Sequence, residues 1–402
     1  MEPAIDRGES VALMEPIRLS EAARQRAGLD DLAMSLGSAA AGFRRSLPPG
    51  VVTTLAALVR SMNCYYSNLI EGHDTHPVDI ERALAADYST DARKRDLQLE
   101  ARAHVEVQQW IDEGGVRGRA VTAGALCEMH RRFGERLPPE LLRATNPDTG
   151  EVLAVVPGAL RERDVKVGVH TPVSPGAVPR FLARFEQVYG ALGRAETIVH
   201  AAAAHHRLLW VHPFLDGNGR VARLMSHAVL LDALDTGGVW SVARGLARAQ
   251  AAYKAHLIDC DNSRRTDLDG RGSLSEDALV RFTQFFLQTC LDQVHFMESV
   301  MQPDRLRARV RLWADEEVQV GALPPRSADV LDALLLRGTL PRAEMPALVG
   351  TGERHARRVV SALSARGVIV SDSTRAPLRL AFPATVAARW LPGLFPDPPS
   401  PV

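Results

Sequence analysis

His212-Pro213-Phe214-Leu215-Asp216-Gly217-Asn218-Gly219-Arg220-Val221-Ala222-Arg223 is the stretch on which the reading of this chain turns. It sets a histidine, an aspartate, a Gly-Asn-Gly turn and two arginines side by side, a mixture that a core segment has no use for. The apolar run 201–211 just upstream predicts a buried helix. Pro213 disfavours helical geometry at His212, so that helix ends there. Gly217-Asn218-Gly219 allows a tight turn that leaves its N–H groups free. A second helix is expected from about Arg220, carrying Leu224, Val229, Leu230 and Leu231. Its N-terminus offers unpaired N–H groups and the positive end of a dipole, the makings of a phosphate site. Arg220 and Arg223 fall on neighbouring positions of that helix. A calcium loop is excluded, because Asp216-Gly217-Asn218 lacks the acidic third position and the later glycine and glutamate.

Outward from this stretch the apolar pattern is helical. It predicts helices at 51–71, 77–86, 94–113, 122–134, 177–192, 195–211, 219–235, 241–258 and 275–300, hence a mainly α fold. The first fifty residues, with small residues at 37–42, predict a helix or two with loose ends. One hairpin is expected over 152–169: Val152, Val155 and Val156 as a strand, Pro157-Gly158 as the turn, and Val165-Lys166-Val167-Gly168-Val169 as an alternating strand. In Tyr65-Tyr66-Ser67-Asn68-Leu69-Ile70-Glu71-Gly72, Ser67 and Glu71 share a helix face and Gly72 reads as the stop. A carboxylate in the last turn opposes the helix dipole, so Glu71 calls for a cationic partner elsewhere. Tyr253 either walls a base by stacking or simply packs. His205 and His206 read as core or surface histidines. The stretch Asp267-Leu268-Asp269-Gly270 reads as a turn before a capping box, Ser273-Leu274-Ser275-Glu276, that opens the helix at 275.

With 402 residues the chain can form two or three domains, and a net charge of zero gives no global attraction to nucleic acid or membrane. Cys64, Cys127, Cys260 and Cys290 are scattered, against a zinc site or disulfide framework. No basic, apolar leader opens the chain and no apolar run is long enough for a bilayer. A cytoplasmic protein without a membrane partner is therefore expected.

The C-terminal part changes rhythm. A helix from 275 is expected to continue past Pro303 into 306–318, followed by a linker at 321–325. Helices at 327–336, 342–349 and 352–365 and strands at 367–370 and 378–382 then resemble a winged helix-turn-helix. Arg354, Arg357 and Arg358 on its third helix suit a DNA major groove, with Arg375 and Arg379 near the wing. Docking of a protein target or of a second copy of the chain is the competing reading, and both stay open. The expected division is 1–50, a partly loose helical segment; 51–300, the main domain; 301–325, helix and linker; 326–384, the winged-helix module; and 385–402, a largely disordered tail.

The 212–223 stretch resembles the signature of the Fic family, His-Pro-Phe-x-[Asp/Glu]-Gly-Asn-Gly-[Lys/Arg]-x-x-Arg, with every specified position filled. The resemblance covers roughly residues 50 to 300. It implies a Fic core, a helical bundle with a β-hairpin flap. It also implies transfer of AMP from ATP to a Tyr, Ser or Thr hydroxyl of a target protein, or of the chain itself, with release of pyrophosphate. His212 would be the base and Asp216 the Mg²⁺ ligand. Gly217, Asn218, Gly219, Arg220 and Arg223 would hold the triphosphate. The flap, with Val165, Lys166, Val167 and Gly168, would take target backbone as an added strand. The stretch 65–72 is similar to the family's inhibitory motif, [Ser/Thr]-x-x-x-Glu-[Gly/Asn], which implies that Glu71 pairs with Arg223 and restrains the reaction. In some relatives the same glutamate supports removal of AMP. The sequence leaves that direction open, as it does oligomeric state and a DNA-binding regulator whose Fic core senses nucleotide.

Overall fold

A computed structural model describes residues 4–23, 25–145, 149–350 and 352–396. From the N-terminus, α1 (Arg26–Ser46), α2 (Pro49–Ile70), α3 (Pro77–Leu84), α4 (Ala92–Asp112) and α5 (Ala123–Gly134) lead to a short hairpin, β1 (Arg143–Thr145) and β2 (Val152–Ala154). There follow α6 (Val178–Tyr189), α7 (Arg194–Val211), α8 (Asn218–Leu234), α9 (Val242–Arg248), α10 (Gln250–Asp261), α11 (Glu276–Met301) and α12 (Pro303–Gln319). The fold is mainly α, as the helical periodicity requires.

Helices α7 and α8 form an antiparallel pair with the motif as their connecting loop, and α11 packs along α7. Both helices of the pair are buried on nearly every face, His205, His206 and Arg207 included. Helix α2 lies against α3, α4 and α9. Pro49 and Pro77 open α2 and α3 at positions where a missing N–H costs nothing. The expected helix over 241–258 is two helices, because Ala249 leaves helical geometry at φ −111°, ψ 34°. Likewise α11 stops at Met301, and Pro303 starts α12 instead of continuing it. The N-cap of α11 is Ser275, whose hydroxyl accepts from the Ala278 N–H; Ser273 instead bonds the Ala12 carbonyl.

The N-terminal segment is not loose. Leu29, Ala33, Leu36, Ala40 and Phe43 make one apolar stripe on α1, which packs on α11. Before it, Met14, Ile17 and Leu19 are buried, and Arg207 donates to the Pro16 carbonyl at 3.1 and 2.8 Å. The described residues from 4 to 50 therefore pack with the main core.

Beyond a linker come α13 (Ser327–Arg337), α14 (Met345–Val349), α15 (Glu353–Ala365) and an antiparallel pair, β3 (Ile369–Val370) with β4 (Arg379–Leu380). This is the element order of a winged helix-turn-helix. Strand β4 also touches α2, and Gly50 approaches the Gly338 carbonyl so closely that a Cβ would overlap it. The expected loose tail is corrected over its first part. Residues Ala384–Trp390 form α16, and Val386, Trp390, Leu391 and Leu394 are buried. Trp390 meets Trp313 edge to face at 5.2 Å, and the Tyr66 hydroxyl donates to the Leu394 carbonyl at 3.0 Å. Apolar residues at helical spacing outweigh the proline-rich end; residues 397–402 lie outside the described ones.

Candidate functional site

The motif loop is held by its own side chains. His212 ends α7 in the left-handed region, at φ 50° and ψ 63°. Asn218 is buried, and its amide closes the loop: Oδ1 accepts from the Phe214 N–H at 2.9 Å and Nδ2 donates to the Phe214 carbonyl at 2.8 Å. Both ends of the amide thus brace the loop, and Nδ2 keeps a second N–H. His130 of α5 supports the turn from below, stacked on Phe214 at 4.1 Å and bonded to the Asp216 carbonyl at 3.1 Å.

Helix α8 starts at Asn218, and its first internal bond runs from the Val221 N–H to the Gly217 carbonyl. The N–H groups of Asn218, Gly219 and Arg220 thus have no partner within the helix and point out of its positive end. Asp216 is exposed. One carboxylate oxygen accepts from the Gly217 N–H at 2.7 Å.

The His212 ring is half-buried beside this end. Its Nδ1 lies 3.3 Å from the Leu209 carbonyl. A carbonyl only accepts, so Nδ1 carries the proton and Nε2 keeps its lone pair. Burial, aided by Arg161 and His170, lowers the His212 pKa to about 4 despite the Leu209 bond and Asp216, so the ring is neutral at physiological pH.

Glu71 occupies the cationic corner. Its Oε1 accepts from Arg223, whose Nε donates to Ser67 Oγ at 2.8 Å. Arg223 also donates to the Ser67 carbonyl at 3.3 Å. The expected cationic partner of Glu71 is therefore Arg223, and Ser67 braces it. Burial pushes the Glu71 carboxyl up, but the Arg223 guanidinium outweighs it and the net shift is downward. The carboxylate also lies over Gly219, where a Cβ would overlap Glu71 Oε1. It thus lies beside the first turn of α8. Gly72 turns the chain at φ 88° as the expected stop.

Of the two readings of Tyr253, packing is the one the burial fits, and the strand expected at 165–169 is corrected. Tyr253 lines no open wall: its ring is buried, and its hydroxyl meets His205 Nε2 at 2.6 Å. Ser226 donates to the Ala222 carbonyl and accepts from His205 Nδ1, so Tyr253 ends a core hydrogen-bond chain behind Arg223. Nor are Val165, Lys166, Val167 and Gly168 a strand. They lie in an irregular loop with one bridge, Val167 to His170, and Gly168 at φ 60° makes its turn. The strands pair upstream instead, Arg143 with Ala154 and Thr145 with Val152. Buried Arg161 bonds the carbonyls of His212 at 2.7 Å and Arg163 at 3.1 Å, and that of Val173. Ser174 is held by Glu9 at 2.8 Å. These bonds hold both ends of the loop against the motif, while residues 166–169 stay exposed.

One residue was not anticipated. Glu100 of α4 accepts from Arg220 at 3.1 Å and lies 2.9 Å from His73 Nδ1, through the same oxygen. A lone acid on a helix, 120 positions before its partner, carries no spacing signal. Arg220 also sits over the Phe133 ring at 5.0 Å, while its Nε is buried without a partner among the described residues.

A helical pair joined by this loop, with a helix N-terminus, a neutral histidine and two arginines, makes up the site, and residues 120–230 match the model of the Fic/DOC family. Among relatives, a protein adenylyltransferase Fic of Drosophila erecta is 28% identical over 171 residues, 42% of this chain and 32% of that protein. The match thus spans about a third of the curated relatives' length. A Fic family protein from Desulfovibrio desulfuricans G20 shares the fold at TM-score 0.51 and 16% identity, over 88% of this chain and 95% of that one. Fic-1 from C. elegans (aa134–508) does so at TM-score 0.51 and 18% identity, over 69% and 74%. Among the described residues no helix is long and apolar enough to cross a membrane.

Proposed function

We propose that the chain is a self-inhibited protein adenylyltransferase that moves AMP from ATP to a hydroxyl of a target protein or of itself. The observation that carries this reading is the Glu71 carboxylate seated on Arg223 and over Gly219. An acid paired with a cation at a place built for an anion is what a brake on a triphosphate site requires. The triphosphate would lie against the N–H groups at the start of α8, with Arg220 and Arg223 as its permanent cations. The unpartnered Arg220 Nε fits such an acceptor.

In the reaction the target hydroxyl oxygen forms a bond to the α-phosphorus as the bond to the β-phosphate oxygen breaks, and pyrophosphate leaves. His212 Nε2 takes the hydroxyl proton. Its neutral, tautomer-fixed ring suits that task. Asp216 would hold Mg²⁺. The exposed carboxylate fits an ion that takes its other ligands from phosphates and water, and no cluster of three ligating side chains occurs among the described residues. Bound Mg²⁺ would neutralise phosphate charge. The exposed Val152, Val156, Val167 and Val169 beside the motif supply apolar surface for a target chain. A cytoplasmic setting would supply the ATP.

The test is transfer of label from α-labelled ATP with Mg²⁺, to the chain and to lysate proteins. Transfer by Glu71→Gly, lost on adding His212→Ala, supports the reading. No transfer from any variant while ATP still binds would sink it and turn attention to removal of AMP.

A second role rests on α15, whose outward face exposes Arg354, Arg357 and Arg358. We propose that this face meets DNA phosphates. Salt-dependent binding to duplex DNA, lost when the three become alanine, is the expected result. Undiminished binding by that variant would exclude it.

A further inference from the structure

We propose that Glu100 is a second latch on the brake: a positioning residue that ties the turn carrying Glu71 to the first turn of α8. The inference rests on the reading of Glu71 as a brake. Its basis is one shared oxygen. Glu100 Oε2 accepts from Arg220 at 3.1 Å and from His73 Nδ1 at 2.9 Å. A carboxylate only accepts, so both partners donate. His73 lies two residues after Glu71, in the turn that ends α2; Arg220 lies in the phosphate-facing turn of α8. Glu100 itself stands on a third element, α4, and is 9% exposed.

The arrangement gives the turn two anchors on α8. Glu71 holds Arg223 directly, and His73 holds Arg220 through Glu100. Each arginine of the motif is therefore paired with a carboxylate, and an incoming triphosphate must displace two anions. Once Arg220 turns to phosphate, Glu100 loses its cation and its grip on the turn weakens. Nucleotide capture at Arg220 and release of Glu71 from Arg223 are thereby coupled through one side chain.

Amide hydrogen exchange reads the latch without requiring activity. The N–H groups of Glu71, Gly72 and His73 close the end of α2 on the carbonyls of Asn68, Leu69 and Asn68, at 3.0, 3.1 and 2.9 Å. In the full chain, Glu100→Gln should speed exchange at these three positions about three- to tenfold, with the rest of α2 unchanged. His73→Ala cuts the other arm at a partly exposed residue and should do the same while leaving Arg220 paired. AMP transfer should rise by a similar factor in either variant, and Glu100→Gln should add nothing in the Glu71→Gly background. Unchanged exchange in both variants overturns the latch and reduces Glu100 to a support for Arg220. Faster exchange without transfer, even by Glu71→Gly, upholds the latch and instead sinks the adenylyltransferase reading.

Discussion

Replacing Glu71 by glycine removes one carboxylate and should raise AMP transfer by roughly ten- to thirtyfold. The figure follows from the pair it breaks. A hydrogen bond to a charged group contributes about 1.5–3 kcal/mol. Arg223 is nearly enclosed, its side chain 4% exposed, but that of Glu71 is 35% exposed, so water screens the pair and the lower part of that range applies. About 1.5–2 kcal/mol of preference for the closed arrangement corresponds to that increase in the open population. Glycine is tolerated there, because Glu71 sits past the last turn of α2 at φ −79°, ψ −4°. The assay compares initial rates of label transfer at saturating ATP, with ATP affinity and melting temperature as controls. Glu71→Gln, which keeps the size and loses the charge, should give a smaller rise. A Glu71→Gly chain that binds ATP, melts normally and transfers no faster than the unaltered chain would refute the reasoning.

Further outcomes follow from the same geometry. Because His212 is held down to about 4, kcat/KM of the Glu71→Gly chain should stay flat as pH falls through the ordinary histidine value of 6.5; an acid limb there would contradict a buried neutral base. The same depression makes the unfolded chain take up the proton first, so His212 lowers stability as pH drops from 6.5 towards 4. The stability from Glu71 pairing is present above its ordinary 4.5 and is lost as pH falls through the lower folded value, so inhibition should not vary near neutrality; a brake that weakens between about pH 6 and 8 would argue against it. Asn218→Ala removes two bonds to Phe214 and should cost about 1–3 kcal/mol, seen as a lower melting temperature; an unchanged one would mean that the loop closes without it. Trp390→Ala should cost about 3–5 kcal/mol by the same measurement, and a neutral result would deny the C-terminal segment its place in the core.

Helix positions were legible because apolar spacing on α2, α4, α7, α8 and α11 reflects burial directly. The Glu71–Arg223 pair was legible as well, through an acid set against a helix dipole and a resemblance that named its partner. What escaped depends on contacts distant in sequence. The alternation at 165–169 resembles a strand, yet the segment folds back on itself through the Val167–His170 bridge, with Gly168 at φ 60°. Asn218 has the chemistry of a phosphate donor, and only the closure of the loop on Phe214 reveals its use. Tyr253 is aromatic at a plausible position, but its hydroxyl finds His205 and its ring the core. Val386, Trp390 and Leu394 did carry a helical rhythm, masked by the prolines that follow.

Helix α2 is both the bearer of Glu71 and a central beam of the protein. Most of its 22 residues are buried, against α3, α4, α9 and strand β4. Such a helix cannot swing away without dismantling the hydrophobic interior, so the moving part of the proposed switch shrinks to one side chain and the turn behind it. A control element of that size can be reset by a single torsion, and altered over evolutionary time by a single codon, while the architecture that carries it stays fixed.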